Sequence, residues 1–285
     1  MRIFYEVLPN TLGRVMYRIR REIRENAPSW VEFVDNTKEA DLQILDSIGT
    51  GSMEYLKCDK YVLLQHCYLT AITPSYDYWY SYWNKAKMVA SFLDLPGQSK
   101  FNDFNFYSTP WGVNPDIFYR ENEEVRPYKA LTTGYIADTE CIGEVFEAVK
   151  FTKSKMVHLG GALFSDPNIC SNYENITDKK LRQLYNSCEY VAGMRRIEGL
   201  ELPLLEGLLC GARGITLDIP AYRYWYEDYV EYVEDGSFEH VRNQLISIFS
   251  KPVRTVTNTE LIKLIDKFSW KNVANNFWNK LGESI

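Results

Sequence analysis

Short apolar runs alternate with helical patterns along this chain, and the alternation is interrupted once, between residues 108 and 128. Residues 3–7 read as a strand, Pro9, Asn10 and Gly13 as a turn, and residues 14–26 as a helix with Val15, Ile19 and Ile23 four apart on one face. Strand-like runs follow at 30–34, 42–45 and 61–64, the last ending at Gln65 and His66, with a small-residue loop at 49–52. The interruption holds Pro110, Gly112, Pro115, Pro127 and a charged run at 120–126, which is the composition of an interdomain linker. Beyond it the alternation restarts, with strands expected at 130–133, 155–159, 189–192 and 214–217 and helices at 143–150, 178–187, 203–210, 238–249 and 259–281. Thr177 is placed to cap the second of these helices, and Pro203 and Gly211 bracket the third. Strands alternating with helices predict βαβ units, so the chain is expected to be α/β, in two halves whose parallel sheets are covered by helices. Ligands of such an arrangement are expected in a cleft between the halves.

Composition narrows the function. The chain has 285 residues, 46% hydrophobic and 25% charged, enough apolar matter for a large core and unlike a disordered chain. Asp and Glu number 38 against 32 Lys and Arg, a net charge of -6 that argues against general nucleic-acid binding. The six cysteines (Cys58, Cys67, Cys141, Cys170, Cys188 and Cys210) form no CxxC pair and no Cys/His cluster at metal-ligand spacing, so a zinc site is not expected. They read as free thiols of a reducing compartment, and the expected location is cytoplasmic. The first ten residues are too polar for a signal peptide, and the longest apolar stretch, 202–217, is broken by Glu206 and Arg213.

The most informative segment reads E-G-L-E-L-P-L-L-E-G-L-L-C-G from Glu198 to Gly211. Glu198 lies in a loop after a strand, and Glu206 in the first turns of the following helix. Such a loop can aim backbone N–H groups at an anion, and a helix N-terminus favours negative charge beside it. By spacing alone, the two glutamates read equally as solvated charges over a leucine core. The wider context resembles the retaining GT-B glycosyltransferases of glycosyltransferase family 4 (group 1), whose motif is E-G-F-G-L-P-x-x-E-A-x-x-C-G. Thr177-Asp178-Lys179-Lys180-Leu181 with Leu184-Tyr185 is similar to the preceding family helix T-D-E-E-L-x-x-L-Y, and Asp218-Ile219-Pro220-Ala221 to the following loop. Thr109-Pro110-Trp111-Gly112-Val113-Asn114 resembles the family linker I-P-N-G-V-D, and Phe268-Ser269-Trp270 the start of its C-terminal helix.

The resemblance implies two Rossmann-like domains facing a cleft, with a short N-terminal one. Residues 1–110 would form the acceptor side and 111–265 the nucleotide-sugar side, with a terminal helix at 266–285 that crosses back to the first domain. It implies a retaining, metal-independent transferase of hexosyl type that uses a UDP- or GDP-sugar as substrate, needs no cofactor, and serves a glycan, lipid or protein acceptor. Carried over by position, Glu206 holds the ribose hydroxyls, Glu198 faces the transferred sugar and its phosphate, and Gly199, Leu200 and Leu202 line the donor. His66 matches a histidine that contacts the donor sugar, and reads equally as a satisfied core histidine. Gly13 lets backbone approach the donor phosphate or the acceptor. His158 reads as structural and His240 as solvated.

Departures from the pattern open other readings. The family segment G-R-L-x-x-x-K-G supplies an Arg and a Lys to the diphosphate; here Tyr135 and Glu140 stand at those positions, and Glu201 replaces a glycine of the motif. Arg195 and Arg196 are the nearest alternative cations, or a surface pair. No Asp-x-Asp occurs, which disfavours a chelated metal. Arg14, Arg18, Arg20, Arg21 and Arg24 make the first helix basic, suited to solvent or to weak contact with an anionic membrane surface. The run Tyr76, Tyr78, Trp79, Tyr80, Tyr82 and Trp83 fits either sugar stacking or packing. A weak or inactive GT-B module that binds a nucleotide-sugar or glycan, and a nucleotide-sugar epimerase, remain the competing functions.

Overall fold

Strands buried along their whole length must be covered on both faces, and parallel sheets clad in helices do this. The computed structural model describes residues 1–5, 13–47, 50–66, 76–93, 103–121, 125–135, 137–161, 164, 166–196 and 200–285. The chain divides into two compact units, Met1–Gly112 with Trp270–Ile285, and Val113–Ser269.

The first unit runs β1 (Arg2–Tyr5), α1 (Gly13–Glu25), β2 (Glu32–Val34), β3 (Leu42–Ser47), β4 (Tyr61–Gln65), α2 (Tyr76–Trp83), β5 (Met88–Ser91) and β6 (Phe106–Ser108). Its described strands form one sheet of order β2-β1-β3-β4-β5-β6, parallel throughout, with Ile3 opposite Leu42 and Val62 opposite Met88. Strands β3, β4 and β5 are buried along their whole length. Of the aromatic run, Trp79 and Trp83 are core, against Leu45, Leu63 and Val89, and Tyr78, Tyr80 and Tyr82 pack partly buried against them. The Trp83 indole donates to Gln65 Oε1 at 3.1 Å. Two local expectations fail. Residues 50–55 form a 3-10 helix around the buried Met53 rather than a loop. On α1 Ile19 and Ile23 are buried, whereas Val15 is exposed. Its arginines are not one solvated face either, because Arg20 is buried and the Arg24 guanidinium lies over the Phe33 ring.

The second unit runs β7 (Tyr128–Thr133), α3 (Ala137–Glu140), α4 (Ile142–Phe151), β8 (Met156–Leu159), β9 (Cys170–Tyr173), α5 (Asp178–Asn186), β10 (Cys188–Ala192), α6 (Leu202–Leu209), β11 (Arg213–Leu217), α7 (Pro220–Tyr226), β12 (Val230–Val233), α8 (Phe238–Phe249) and α9 (Asn258–Phe268). Its described strands form a parallel sheet of order β12-β11-β10-β7-β8-β9. Thr177 caps α5, its hydroxyl accepting the Lys180 N–H. Thr257 and Glu260 form a reciprocal capping box on α9. The helix expected over 259–281 is two: the chain leaves α9 at Ser269, where the backbone is extended and bridges to Val113, and starts again as α10 (Trp270–Ser284). The segment 218–221, read as loop, opens the short helix α7.

Helix α10 belongs to the first unit, where Trp278 donates to the Ile23 carbonyl at 3.0 Å and meets Trp30 edge-on. Cys58, Cys141, Cys170, Cys188 and Cys210 are free, and Cys67 lies outside the described residues. Burial pushes the Cys141 and Cys188 thiols up to about 12, so they pack as small apolar groups. No described helix is long and apolar enough to cross a membrane.

Candidate functional site

In open parallel sheets, ligands meet the carboxyl ends of the strands. In the second unit that edge is built from the turns after β7, β8 and β10. The chain leaves β10, turns at Gly193 to Arg196, and enters α6 at Leu202. Pro203 suits this entry because its missing N–H falls among donors the first helical turn leaves unused. Glu201, which stands where the motif has a glycine, turns inward and is 3% exposed. Its carboxylate accepts the Arg195 N–H at 2.8 Å and the Tyr222 hydroxyl at 3.2 Å. The Tyr226 hydroxyl accepts the Glu201 N–H at 2.7 Å and donates to the Glu201 carbonyl at 3.1 Å. Glu201 therefore ties both ends of the loop to α7, and its bulk lies in the domain interior.

One turn into α6, Glu206 is buried to 5% exposure, and its Oε2 accepts the Tyr185 hydroxyl at 3.0 Å. It is not the solvated charge that spacing alone allowed. Leu200 and Leu202 are buried as well. Helix α6 lies close over β10 because Gly207 has no side chain: a Cβ there would stand 2.5 Å from a Val191 methyl. Glu198 and Gly199 lie outside the described residues, and Gly13 is the first residue of α1.

The cations and their counter-charges are interleaved. Arg195 meets Glu140 at 2.7 Å, at the end of α3. The Glu140 carboxylate rests on Gly134, whose φ of 124° only glycine adopts freely and whose added Cβ would lie 1.8 Å from Glu140 Oε2. Arg196 is bound to two acids, Asp235 at 2.9 Å and Glu144 at 3.4 Å, and its N–H donates to the Thr139 carbonyl. Tyr135, at the family's arginine position, is exposed. His158, at the end of β8, is buried against the Thr132 hydroxyl at 2.9 Å, and burial lowers its pKa to about 4. His240 is exposed near Glu234. No group of three or more His, Cys, Asp or Glu among the described residues is arranged to hold a metal.

At the carboxyl edge of the first sheet, His66 follows β4 and its Nε2 lies 2.8 Å from Asp46 Oδ1. The Tyr5 hydroxyl donates to the same oxygen at 3.3 Å, and Arg20 from α1 is ion-paired with Oδ2. Burial pushes the Asp46 carboxyl up, but the hydrogen bond and charge of His66 and the charge of Arg20 outweigh it, and the net shift is downward. Trp111 lies against His66, with ring centroids 4.8 Å apart. Asp46 is absent from the sequence-derived candidates, and Arg20 is among them only as part of the basic first helix. The available signal was an acid inside the buried run Leu42–Ser47, since a buried carboxylate needs partners.

No family model matches the sequence, and no curated protein matches it. Solved structures do. HepE from Anabaena, determined in complex with UDP, superposes over 99% of both chains with a TM-score of 0.72 at 11% identity. Sucrose-phosphate synthase from Thermosynechococcus elongatus has a TM-score of 0.67 at 14% identity, over 87% of this chain and 75% of that one. The pneumococcal O-GlcNAc transferase GtfA, in complex with UDP and GlcNAc, has a TM-score of 0.62 at 13% identity, over 95% of this chain and 60% of that one. The fold is GT-B. Its GT-B neighbours are glycosyltransferases, and identities this low carry the likeness of fold only.

Proposed function

We propose that this chain is a retaining glycosyltransferase of the family 4 kind, which moves a hexosyl group from a nucleotide-sugar to a glycan, lipid or protein acceptor without a metal or cofactor. The observation that carries this reading is the β10–α6 connection, where the segment 198–211 resembles the family motif and Glu206 is a buried carboxylate oriented by Tyr185. A carboxylate so held is suited to accept both hydroxyl protons of a ribose. UDP is the favoured nucleotide, since HepE and GtfA were determined with it. Backbone at Gly199, Leu200 and Leu202 lines the donor, Glu198 faces the sugar and its phosphate, Gly13 allows close approach, and His66 meets a sugar hydroxyl. Arg195 supplies positive charge to the leaving diphosphate, because its pair with Glu140 brings a guanidinium to the place of the family lysine. Arg196, held by Asp235 and Glu144, supports the loop.

A second reading, a GT-B module that binds a nucleotide-sugar without turning it over, is favoured by the same pair, since Glu140 offsets the Arg195 charge. Incubation with UDP- and GDP-sugars distinguishes the two. Release of nucleoside diphosphate, undiminished by excess EDTA, supports the transferase. Calorimetric binding without release supports the module, and a strict requirement for Mn²⁺ or Mg²⁺ overturns the metal-free mechanism.

A further inference from the structure

A carboxylate has lone pairs and no proton to give, so any ring nitrogen within hydrogen-bond distance of it must carry the proton. Asp46 faces His66 in this way, with Nε2 2.8 Å from Oδ1. Its other contacts fix which way the pair is arranged. Arg20 holds Oδ2 and the Tyr5 hydroxyl donates to Oδ1, so the carboxylate is gripped from β1 and from α1 and cannot rotate away from β4. The His66 backbone N–H is bonded to the Ser47 carbonyl at 3.0 Å, which sets the two strand ends in register, and Trp111 limits the tilt of the imidazole. Asp46 is buried, so water does not compete for it.

We propose that Asp46 is a positioning residue that holds the neutral imidazole of His66 as the Nε2–H tautomer, so that in this form Nδ1 keeps its lone pair and His66 meets its substrate as a hydrogen-bond acceptor. The inference rests on the reading of His66 as a residue that touches the sugar. It adds a rule of selection to that reading. A lone pair accepts from a hydroxyl and repels a carboxylate or phosphate oxygen, so the substrate group beside His66 is a neutral hydroxyl. Arg20 has a separate part: its charge balances that of Asp46, so the buried pair is neutral before the imidazole is counted.

The tautomer can be read directly. The chain has 3 histidines, so a long-range ¹H–¹⁵N spectrum of histidine-labelled protein at pH 8 resolves His66, assigned by its loss in His66→Gln. The expected pattern is a protonated Nε2 and an unprotonated Nδ1; a protonated Nδ1 overturns the proposal. The kinetic test is a double-mutant cycle on nucleoside diphosphate release. Asp46→Asn is expected to lower kcat on the order of 10–100-fold with the donor KM within about threefold, the scale of other residues that act through a ligand's orientation. In the His66→Gln background the same change should cost nothing further. Additive losses overturn the proposal. If Asp46→Asn fails to fold, the wild-type tautomer decides. A wild type that releases no nucleotide from any sugar tested overturns the functional reading and the catalytic side of this one, while the tautomer still decides what Asp46 does to His66.

Discussion

Glu206 shows how one side chain can be both buried and poised. Its Oε2 is satisfied by Tyr185, and the helix around it is held by leucines rather than by the charge. Glu206→Gln keeps an acceptor for the Tyr185 proton but removes the charge that strengthens bonds to ribose hydroxyls. It should weaken UDP binding by about 1.5–3 kcal/mol, with little change in melting temperature. Calorimetric titration of the folded variant checks this, and unchanged affinity would remove Glu206 from the site. Arg195 is the second test at this scale. Arg195→Ala should lower kcat/KM on the order of 10²–10³-fold, as loss of one donor to a developing anion does elsewhere, and lysine should restore part of it. Arg196→Ala should change turnover far less, because its guanidinium is bound to Asp235 and Glu144. Equal losses in both variants would contradict the division of roles.

The fit of α6 over β10 depends on Gly207, at a position where the family pattern has alanine. A Cβ would stand 2.5 Å from a Val191 methyl and 2.8 Å from its Cβ, in a core with no slack. Gly207→Ala should destabilise the fold by about 1–3 kcal/mol, and Val191→Ala in the same chain should recover part of that. Urea denaturation of the two variants measures it. Element α6 was legible because local chemistry brackets it: Pro203 within the first turn and Gly211 beyond the last residue. Thr177 announced α5 in the same way. No proline or glycine marks the break at Ser269, and only the resemblance at Phe268-Ser269-Trp270 put a helix start there; the Val113 N–H takes the Phe268 carbonyl at 2.7 Å, a bond made with residues far back in the chain. Strands β9 and β12 were missed for a related reason. Cys170–Tyr173 and Val230–Val233 have four residues each and no clear alternation, and neighbouring strands rather than propensity decide them. The site was legible as far as a motif carried it. Glu206 and Arg195 lay within reach of the pattern, but Asp46 meets His66 and Arg20 only through the folding of three separate segments.

For the whole molecule, acidity should weaken the fold in a window set partly by His158. Burial lowers its pKa from 6.5 to about 4, so the unfolded chain takes up the proton first as pH falls. The stability this neutral histidine contributes is complete above about pH 6.5. It declines by up to about 1.4 kcal/mol per pH unit towards pH 4 and is absent below that. The denaturation midpoint of His158→Gln should therefore fall less between pH 7 and pH 5 than that of the wild type, and parallel curves would refute the assignment. The return of α10 to the first unit has a consequence for how the chain is made. Trp278, Phe277 and Leu281 are core residues of a unit whose strands are made before those of Val113–Ser269. Chains growing on a ribosome ordinarily fold their leading domain first. Here Val113–Ser269 is complete in sequence while the earlier unit still waits for Trp270–Ile285. The unit begun first is thus the later one to be complete, and until Trp270–Ile285 has been made Trp30, Phe33 and the Ile23 carbonyl lack the cover that Trp278 later provides.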